Sequence, residues 1–283
     1  MTSNTSFRIS RFIQIKGQLH DFSKPKIMGI LNMTPDSFYE KSRKSVNEDL
    51  ISTVSNMIQA GADIIDIGAS STRPGAETPS ASEEISRLQD VFPLLRQEFP
   101  ETILSIDTFY GEVAEFALTQ GADIVNDISG GQFDPEIWNV VVKLQAPYIL
   151  TYHRGEKSNA KTSYVSKNFM MDVLRYFSEK ISELEKRGVY NIILDPGFGF
   201  GKSLEENYEL IRSFDMLHLF EKPIMVGISR KSMIRDVLHV GVENSLNGSS
   251  VLHTLLHAKN AHVFRVHDVP EMNEVRTLMR ASQ

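Results

Sequence analysis

Residues Asp195 to Ser203 read DPGFGFGKS, a glycine-rich run that ends like the tail of a phosphate-binding loop. Such a loop needs G-x-x-x-x-G-K-[ST], because successive backbone N–H groups must wrap one anion before a helix begins. Counting back from Gly201 puts Pro196 at the first glycine position. Proline has neither the N–H nor the conformational freedom required there. The dinucleotide spacing G-x-G-x-x-G fails as well, since these glycines recur at every second residue. What remains is an apolar run, NIIL, that ends on the carboxylate of Asp195 and passes into a turn.

The same arrangement recurs along the chain. Polar residues close apolar runs at Asn32, Asp66, Asp107, Asn126 with Asp127, His153 and Asp195, then at Ser229 with Arg230 and Lys231, and at Arg265 with His267 and Asp268. Any one of these could cap the next helix. A ring of them, each following a buried strand, is the equipment for holding a polar ligand, because unsatisfied buried polar groups cost about 1–3 kcal/mol each. His253 and His257 stand four apart, a spacing that can bind metal, but no Glu lies between them and no third ligand is evident, so packed or exposed histidines are the reading. Lys202 reads as a solvated or helix-start lysine, SEKISELEKRG as the solvated face of a helix, and Trp138 as a packing residue. His153 fits either a substrate contact or loop structure.

The elements that must position these groups alternate. Apolar, β-rich runs cover 25–32, 62–69, 102–108, 122–129, 147–153, 191–197, 223–229 and 262–268. Most are continuous rather than alternating, as parallel strands covered on both faces are. Helical patterns such as DLISTVSNMIQAG and VLRYFSEKISELEKRG lie between them, each ending on a glycine suited to a left-handed cap. The link GADI at 61–64 returns at 121–124. About eight strand-then-helix units in under ~300 residues predict an α/β fold, a (β/α)₈ TIM barrel forming one domain over 1–283. The segment at about 9–23 alternates around Lys16-Gly17 and predicts a β-hairpin closing the barrel bottom. An open, doubly wound sheet is the alternative. In a barrel, catalytic groups belong at the C-terminal ends of strands, which is where the polar ring falls.

The 283 residues are 41% hydrophobic and 23% charged, with a net charge of −6 and no cysteine. That balance argues against a large nucleic-acid surface and excludes disulfides and Cys-ligated metal. The N-terminus MTSNTSFRIS lacks the apolar core of a signal peptide, and no run approaches the ~18 apolar residues of a membrane span. The expectation is a cytoplasmic, unanchored protein with no nucleic-acid or membrane partner.

Seven motifs in order, ILNMTPDSF (30–38), SSTRPGAE (70–77), SIDT (105–108), ND (126–127), DPGFGFGKS (195–203), GISRKS (227–232) and RVHDV (265–269), resemble those of the dihydropteroate synthases. These are folate-pathway enzymes, the targets of sulfonamides, and the likeness runs from about Lys26 to Val269. The resemblance implies a transferase that joins 4-aminobenzoate to 6-hydroxymethyl-7,8-dihydropterin diphosphate and releases diphosphate. It also implies residue roles. Asp107, Asn126, Asp195 and Lys231 match the residues that hold the pterin edge. Arg265 and His267, two apart on one strand and therefore on one face, match the pair that holds diphosphate, with Asn32, Thr72 and Arg73 beside it. Phe38, Pro74, Phe200 and Ser232 match the 4-aminobenzoate site. Lys231, Arg265 and His267 carry the catalytic assignment. A Mg²⁺ ion is implied, with Asn32 as its protein ligand, and so is a homodimer, for which NGSSVLHTLLHAKN and PEMNEVRTLMRASQ offer an interface.

The match has departures. Where the family continues TPDSF with Ser-Asp-Gly-Gly, this chain has Tyr39-Glu40-Lys41-Ser42, and the Gly-Gly-Glu before STRP is Gly68-Ala69-Ser70. Losing glycines that supply positive φ freely puts loop closure and sulfonamide response in question. Two other functions share parts of the pattern. A pterin-binding methyltransferase acting on a corrinoid protein would not need SRKS or RVHD. A non-catalytic pterin-binding paralogue would not need Asn32, Lys231, Arg265 and His267.

Overall fold

The computed structural model describes residues 11–33, 43–69, 78–154 and 168–282. At the N-terminus, β1 (Phe12–Ile15) and β2 (Gln18–Asp21) pair antiparallel. Lys16 and Gly17 turn between them at φ 48° and 78°, the two left-handed residues of a tight hairpin turn. Eight parallel strands follow: β3 (Lys26–Asn32), β4 (Ile64–Gly68), β5 (Ile103–Asp107), β6 (Ile124–Asp127), β7 (Tyr148–Thr151), β8 (Ile192–Asp195), β9 (Met225–Val226) and β10 (Val263–Val266). Each pairs with the next in sequence from β3 to β8, while β10 lies between β9 and β3. A parallel bridge between Leu194 and Ile224 joins β8 to β9, with the Leu194 N–H donating to Pro223 O at 2.9 Å, so the ring closes. This is the predicted barrel and not the open sheet.

Strand periodicity divides the barrel interior into layers. Met28, Ile64, Ile103, Ile124, Ile149, Ile193, Met225 and Val263 form one apolar cluster with Ile13, Ile15 and Phe22 of the hairpin segment. These strand residues sit at or near strand starts, so the hairpin plugs the N-terminal end as the sequence predicts. Successive inward residues are two apart. One step further along, the inward positions are Ile30, Asp66, Ser105, Asn126, Thr151, Asp195, Gly227 and Arg265. The interior therefore changes from apolar to polar in a single step.

The repeated GADI links are matched anchors. Asp63 accepts from the Ile27 N–H at 2.8 Å and from Arg276 at 2.6 Å. Asp123 accepts from the Leu104 N–H at 2.9 Å and from Arg96 at 2.6 Å. Each carboxylate occupies a backbone donor of the neighbouring strand, and its arginine also donates to the carbonyl of Gly61 or Gly121. Lys16 reaches Asp123 at 2.7 Å, which fastens the hairpin to the same anchor.

Helices pack outside the strands. α1 (Arg43–Gln59) and the long α6 (Phe169–Lys186) run further back than the apolar patterns at 49–61 and 173–188 suggest. Gly61 and Gly188 beyond them take positive φ, as expected of caps. β9 is shorter than its apolar run, with Pro223 lacking a ladder donor at its head. His253 and His257 lie on α9 (Leu246–Ala258), buried against the Phe264 ring at 5.8 and 5.9 Å. They are packing residues. Trp138 is buried too, donating to Tyr148 Oη at 2.9 Å.

Candidate active site

The polar layer opens toward the C-terminal ends of the strands. Strand pairing aligns Asn32 with Gly68, Gly68 with Asp107 and Asp107 with Asn126, so these residues stand at one level on four neighbouring strands. Asp66, fully buried, accepts from Arg265 Nε at 2.6 Å and from Asn126 Nδ2 at 3.0 Å. Arg265 donates through Nη2 to Asp107 as well. Two carboxylates thus fix the guanidinium, which keeps further donors of its planar fork for a ligand. Burial pushes the Asp107 carboxyl up, with the Arg265 charge opposing and Asp66 reinforcing the rise.

Asp195 ends β8 and is pinned by the Gly197 N–H at 2.8 Å. Burial raises its pKa, while the Lys231 ammonium pulls it back. Lys231 donates to Phe198 O and lies 4.5 Å from the centre of the Phe200 ring. Burial pulls its pKa down to about 8, against the charge of Asp195. A carboxylate acceptor and an ammonium donor face the same space beside an aromatic ring.

DPGFGFGKS is thereby explained without a nucleotide. Gly197, Gly199 and Gly201 have φ of 67°, 87° and 66°, so the turn alternates left-handed residues that glycine alone supplies without strain. A Cβ on Gly197 would stand 2.2 Å from Tyr152 O. Ser203 is the N-cap of α7 (Leu204–Arg212), in a capping box with Glu206. Lys202 corrects the sequence reading: it is buried, not solvated. Its Nζ donates to Gly197 O at 2.5 Å, Tyr152 O at 3.1 Å and Phe200 O at 3.3 Å. A cation at the centre of three carbonyls binds the turn to the end of β7.

Aromatic rings form a rim over this layer. Phe109 meets Phe133 at 5.3 Å, Phe133 meets His153 at 5.1 Å, and His153 meets Phe200 at 5.4 Å. Burial lowers the His153 pKa to about 4, so the ring is neutral near pH 7 and serves as a flat wall. Asp127 has a different job from its neighbour Asn126. It accepts from the Ser129 and Gly131 N–H groups, both at 2.7 Å, and from Tyr148 Oη at 2.6 Å, holding the loop after β6. Arg230, at φ 55°, is clamped by both oxygens of Asp268 at 2.8 and 2.7 Å and shapes the turn that presents Lys231.

The structure therefore brings together Asn32, Asp107, Asn126, Asp195, Phe200, Lys231 and Arg265. His267 is exposed and stands one residue past the end of β10, not on the strand as the sequence reading has it, with its Nδ1 3.1 Å from Ser229 Oγ. Ser232 is exposed at the start of α8 (Ser232–Leu238). Phe38, Thr72, Arg73 and Pro74 lie outside the described residues, as do the departures at 39–42 and Ser70. Sequence reasoning placed Asp66 in the polar ring without a specific role and gave Lys202 no site role. The signal for Asp66 was its place two residues after Ile64 on an apolar strand; Lys202 had none.

Asn32 suits a Mg²⁺ ligand. A Cβ on Gly68 would lie 3.7 Å from Asn32 Oδ1 and 3.6 Å from Asp107 Oδ2, so the amide oxygen sits in an oxygen-lined corner. Mg²⁺ prefers oxygen donors and takes few from protein when phosphates supply the rest.

Comparison with known proteins agrees with this geometry. Residues 28–267 match the family model described as pterin binding enzyme. Dihydropteroate synthase of Escherichia coli strain K12 is 38% identical over 269 residues, 94% of this chain and 95% of the relative. That of Clostridium beijerinckii is 41% identical over 248 residues, covering 87% and 89%. Among solved structures, the Yersinia pestis enzyme in complex with a sulfonamide drug superposes with a TM-score of 0.87 at 36% identity, covering 96% of this chain and 98% of that one. The Xanthomonas albilineans enzyme with 4-aminobenzoic acid gives 0.86 at 31% identity, covering 97% and 98%. The chain belongs to the pterin-binding enzymes and, among them, to the dihydropteroate synthase family.

Proposed function

We propose that this barrel condenses 4-aminobenzoate with 6-hydroxymethyl-7,8-dihydropterin diphosphate by an SN1-like displacement at the pterin methylene. The polar cluster of Asp107, Asn126, Asp195 and Lys231 around Arg265 carries this reading. A pterin is flat, with a guanine-like edge of donors and acceptors. The carboxylates of Asp107 and Asp195 and the amide of Asn126 accept from its N–H and amino groups, and Lys231 donates to its acceptors. A site built to pair such an edge rejects analogues that lack it.

Diphosphate departs first or nearly so, because the electron-rich dihydropterin delocalises the positive charge left on the methylene. Charge stabilisation of the leaving group is then the main catalytic contribution. Arg265 supplies it from a guanidinium already oriented by Asp66 and Asp107, with His267, Thr72 and Arg73 as further partners of the diphosphate. Mg²⁺, when bound at Asn32, would add neutralisation of the diphosphate charge. The arylamine attacks as the neutral amine, so no strong general base is needed. Its ring packs on Phe200, Phe38 and Pro74 are further residues assigned to it, and Ser232 binds its carboxylate.

The chain acts on small molecules in the cytoplasm as a homodimer in this reading. None of the described helices is long and apolar enough to cross a membrane. Val251 and Leu255 on α9 and Leu278 on α10 (Val269–Ala281) are exposed apolar residues available to a second copy. The test is diphosphate release from dihydropterin diphosphate, with and without 4-aminobenzoate, in wild type and Lys231→Ala. Turnover that requires the arylamine and collapses in the variant supports the synthase. Tight dihydropterin binding with no turnover in the wild type instead identifies a binding paralogue.

A further inference from the structure

We propose that Thr151 is a further ligand-reading residue: its hydroxyl hydrogen-bonds the polar edge of the flat heterocycle held by Asn126 and Asp195. This rests on the pterin reading above and adds a residue that the motif resemblance does not contain. Asn126 is on β6 and Asp195 on β8, and β7 runs between them. Neighbouring strands are about 4.8 Å apart, so a ligand that touches both residues must cross β7. Thr151 is where it crosses. In register it pairs directly with Asp195, while Ile149, one inward step below, pairs with Asn126. Ile149 belongs to the apolar plug, so the strand's alternation turns Thr151 to the same interior.

The hydroxyl is also built for an occupant. Thr151 is fully buried, and its Oγ1 has no hydrogen-bond partner among the described residues. Its backbone is fixed independently, because Thr151 O accepts from Tyr176 Oη at 2.8 Å. The methyl group Cγ2 faces the Gly197 turn, where a Cβ would meet it at 3.2 Å. Three more atoms of the same layer, Asp66 Oδ1, Ser105 Oγ and Asn126 Oδ1, have no hydrogen-bond partner among the described residues. Buried polar groups left unpaired destabilise a fold, and four in one layer mark a surface completed by ligand. A threonine hydroxyl both donates and accepts, so it can pair with either polarity on the heterocycle's edge.

The test is calorimetric titration of 6-hydroxymethyl-7,8-dihydropterin into wild type, Thr151→Val and Thr151→Ser, with a melting temperature for each free protein. Valine keeps the shape and removes the hydroxyl. Its dissociation constant is expected to rise about tenfold, or about 1.4 kcal/mol, while the free protein melts no lower than wild type because an unpaired hydroxyl has been removed. Serine is expected to bind within about threefold of wild type. Valine binding as tightly as wild type would overturn the proposal and leave the functional reading intact. A lower melting temperature in the valine variant would also overturn it, by showing a structural role instead. Wild-type protein that fails to bind the dihydropterin would overturn the functional reading and this proposal together.

Discussion

Replacing Lys202 by Met tests whether the glycine-rich turn is held by its own buried cation. Methionine has nearly the same reach and is apolar, so the change removes the ammonium and leaves the space filled. Three carbonyls, those of Gly197, Tyr152 and Phe200, lose a donor. At about 1 kcal/mol for each lost bond the gross cost is about 3 kcal/mol. The ammonium was itself costly to bury, as its pKa, pulled down to about 7 chiefly by burial, records. Part of the loss is therefore offset, leaving about 2 kcal/mol. For a chain of this size that lowers the melting temperature by about 4–8 °C. Function should respond selectively, because two of the carbonyls belong to the turn that follows Asp195 and carries Phe200. The Michaelis constant for 4-aminobenzoate is expected to rise about threefold to tenfold, with kcat within about twofold. Lys202→Arg should not rescue, since contacts of 2.5–3.3 Å leave no room for a guanidinium. Differential scanning fluorimetry and steady-state kinetics on the same preparation read both effects. A Met variant that melts within about 1 °C of wild type, with unchanged Michaelis constants, would refute the clamp.

Three further outcomes follow from the same geometry. Lys231 has its pKa drawn down to about 8 by burial, so its donor strength is complete below that pH and lost as pH rises through it. Dihydropterin affinity should weaken above about pH 8 in wild type and stay weak and flat from pH 6 to 9 in Lys231→Met, by calorimetry. Gly197→Ala would place a Cβ 2.2 Å from Tyr152 O at φ 67° and should cost more than about 3 kcal/mol in denaturant unfolding. Gly17→Ala, at φ 78° with open space around it, should cost only about 1 kcal/mol. Buried His253 and His262 are held at about 4 and about 3 by burial. Their unfolded values are near 6.5, so the unfolded chain takes up protons first as pH falls. Stability is then complete above about pH 6.5 and declines by about 1.4 kcal/mol per unit per histidine toward pH 4. Thermal melts from pH 7 to 4 check this, and His253→Leu should flatten the slope.

What the sequence disclosed and what it hid differ in range. The barrel was legible because each strand is an apolar run closed by a polar residue, and strand order follows chain order from β3 to β8. The hairpin was legible because Lys16-Gly17 interrupts an alternating pattern. Helix starts were not, since α1 begins in the polar stretch Arg43–Asn47, where no apolar period exists. Lys202 was misread because its partners include Tyr152 O, fifty residues away and just past the end of β7. A lysine beside a capping serine looks solvated, and no local spacing encodes a distant carbonyl.

Aspartates show how a local rule can still separate site from scaffold. Asp63 and Asp123 precede their strands and occupy backbone donors, while Asp66 lies inside one and holds Arg265. Composition cannot tell them apart; parity can. Counting two residues on from each apolar plug residue gives Ile30, Asp66, Ser105, Asn126, Thr151, Asp195, Gly227 and Arg265. Six of these eight are polar, against an all-apolar layer beneath them. Such a change across one step of 6–7 Å is hard to account for by packing, since a barrel that needed only stability would repeat branched apolar residues in every layer. The polar layer is where this fold gives up stability for recognition. Thr151 belongs to it on the same arithmetic that places Asp195, and that parity, more than the glycine-rich motif, defines the site.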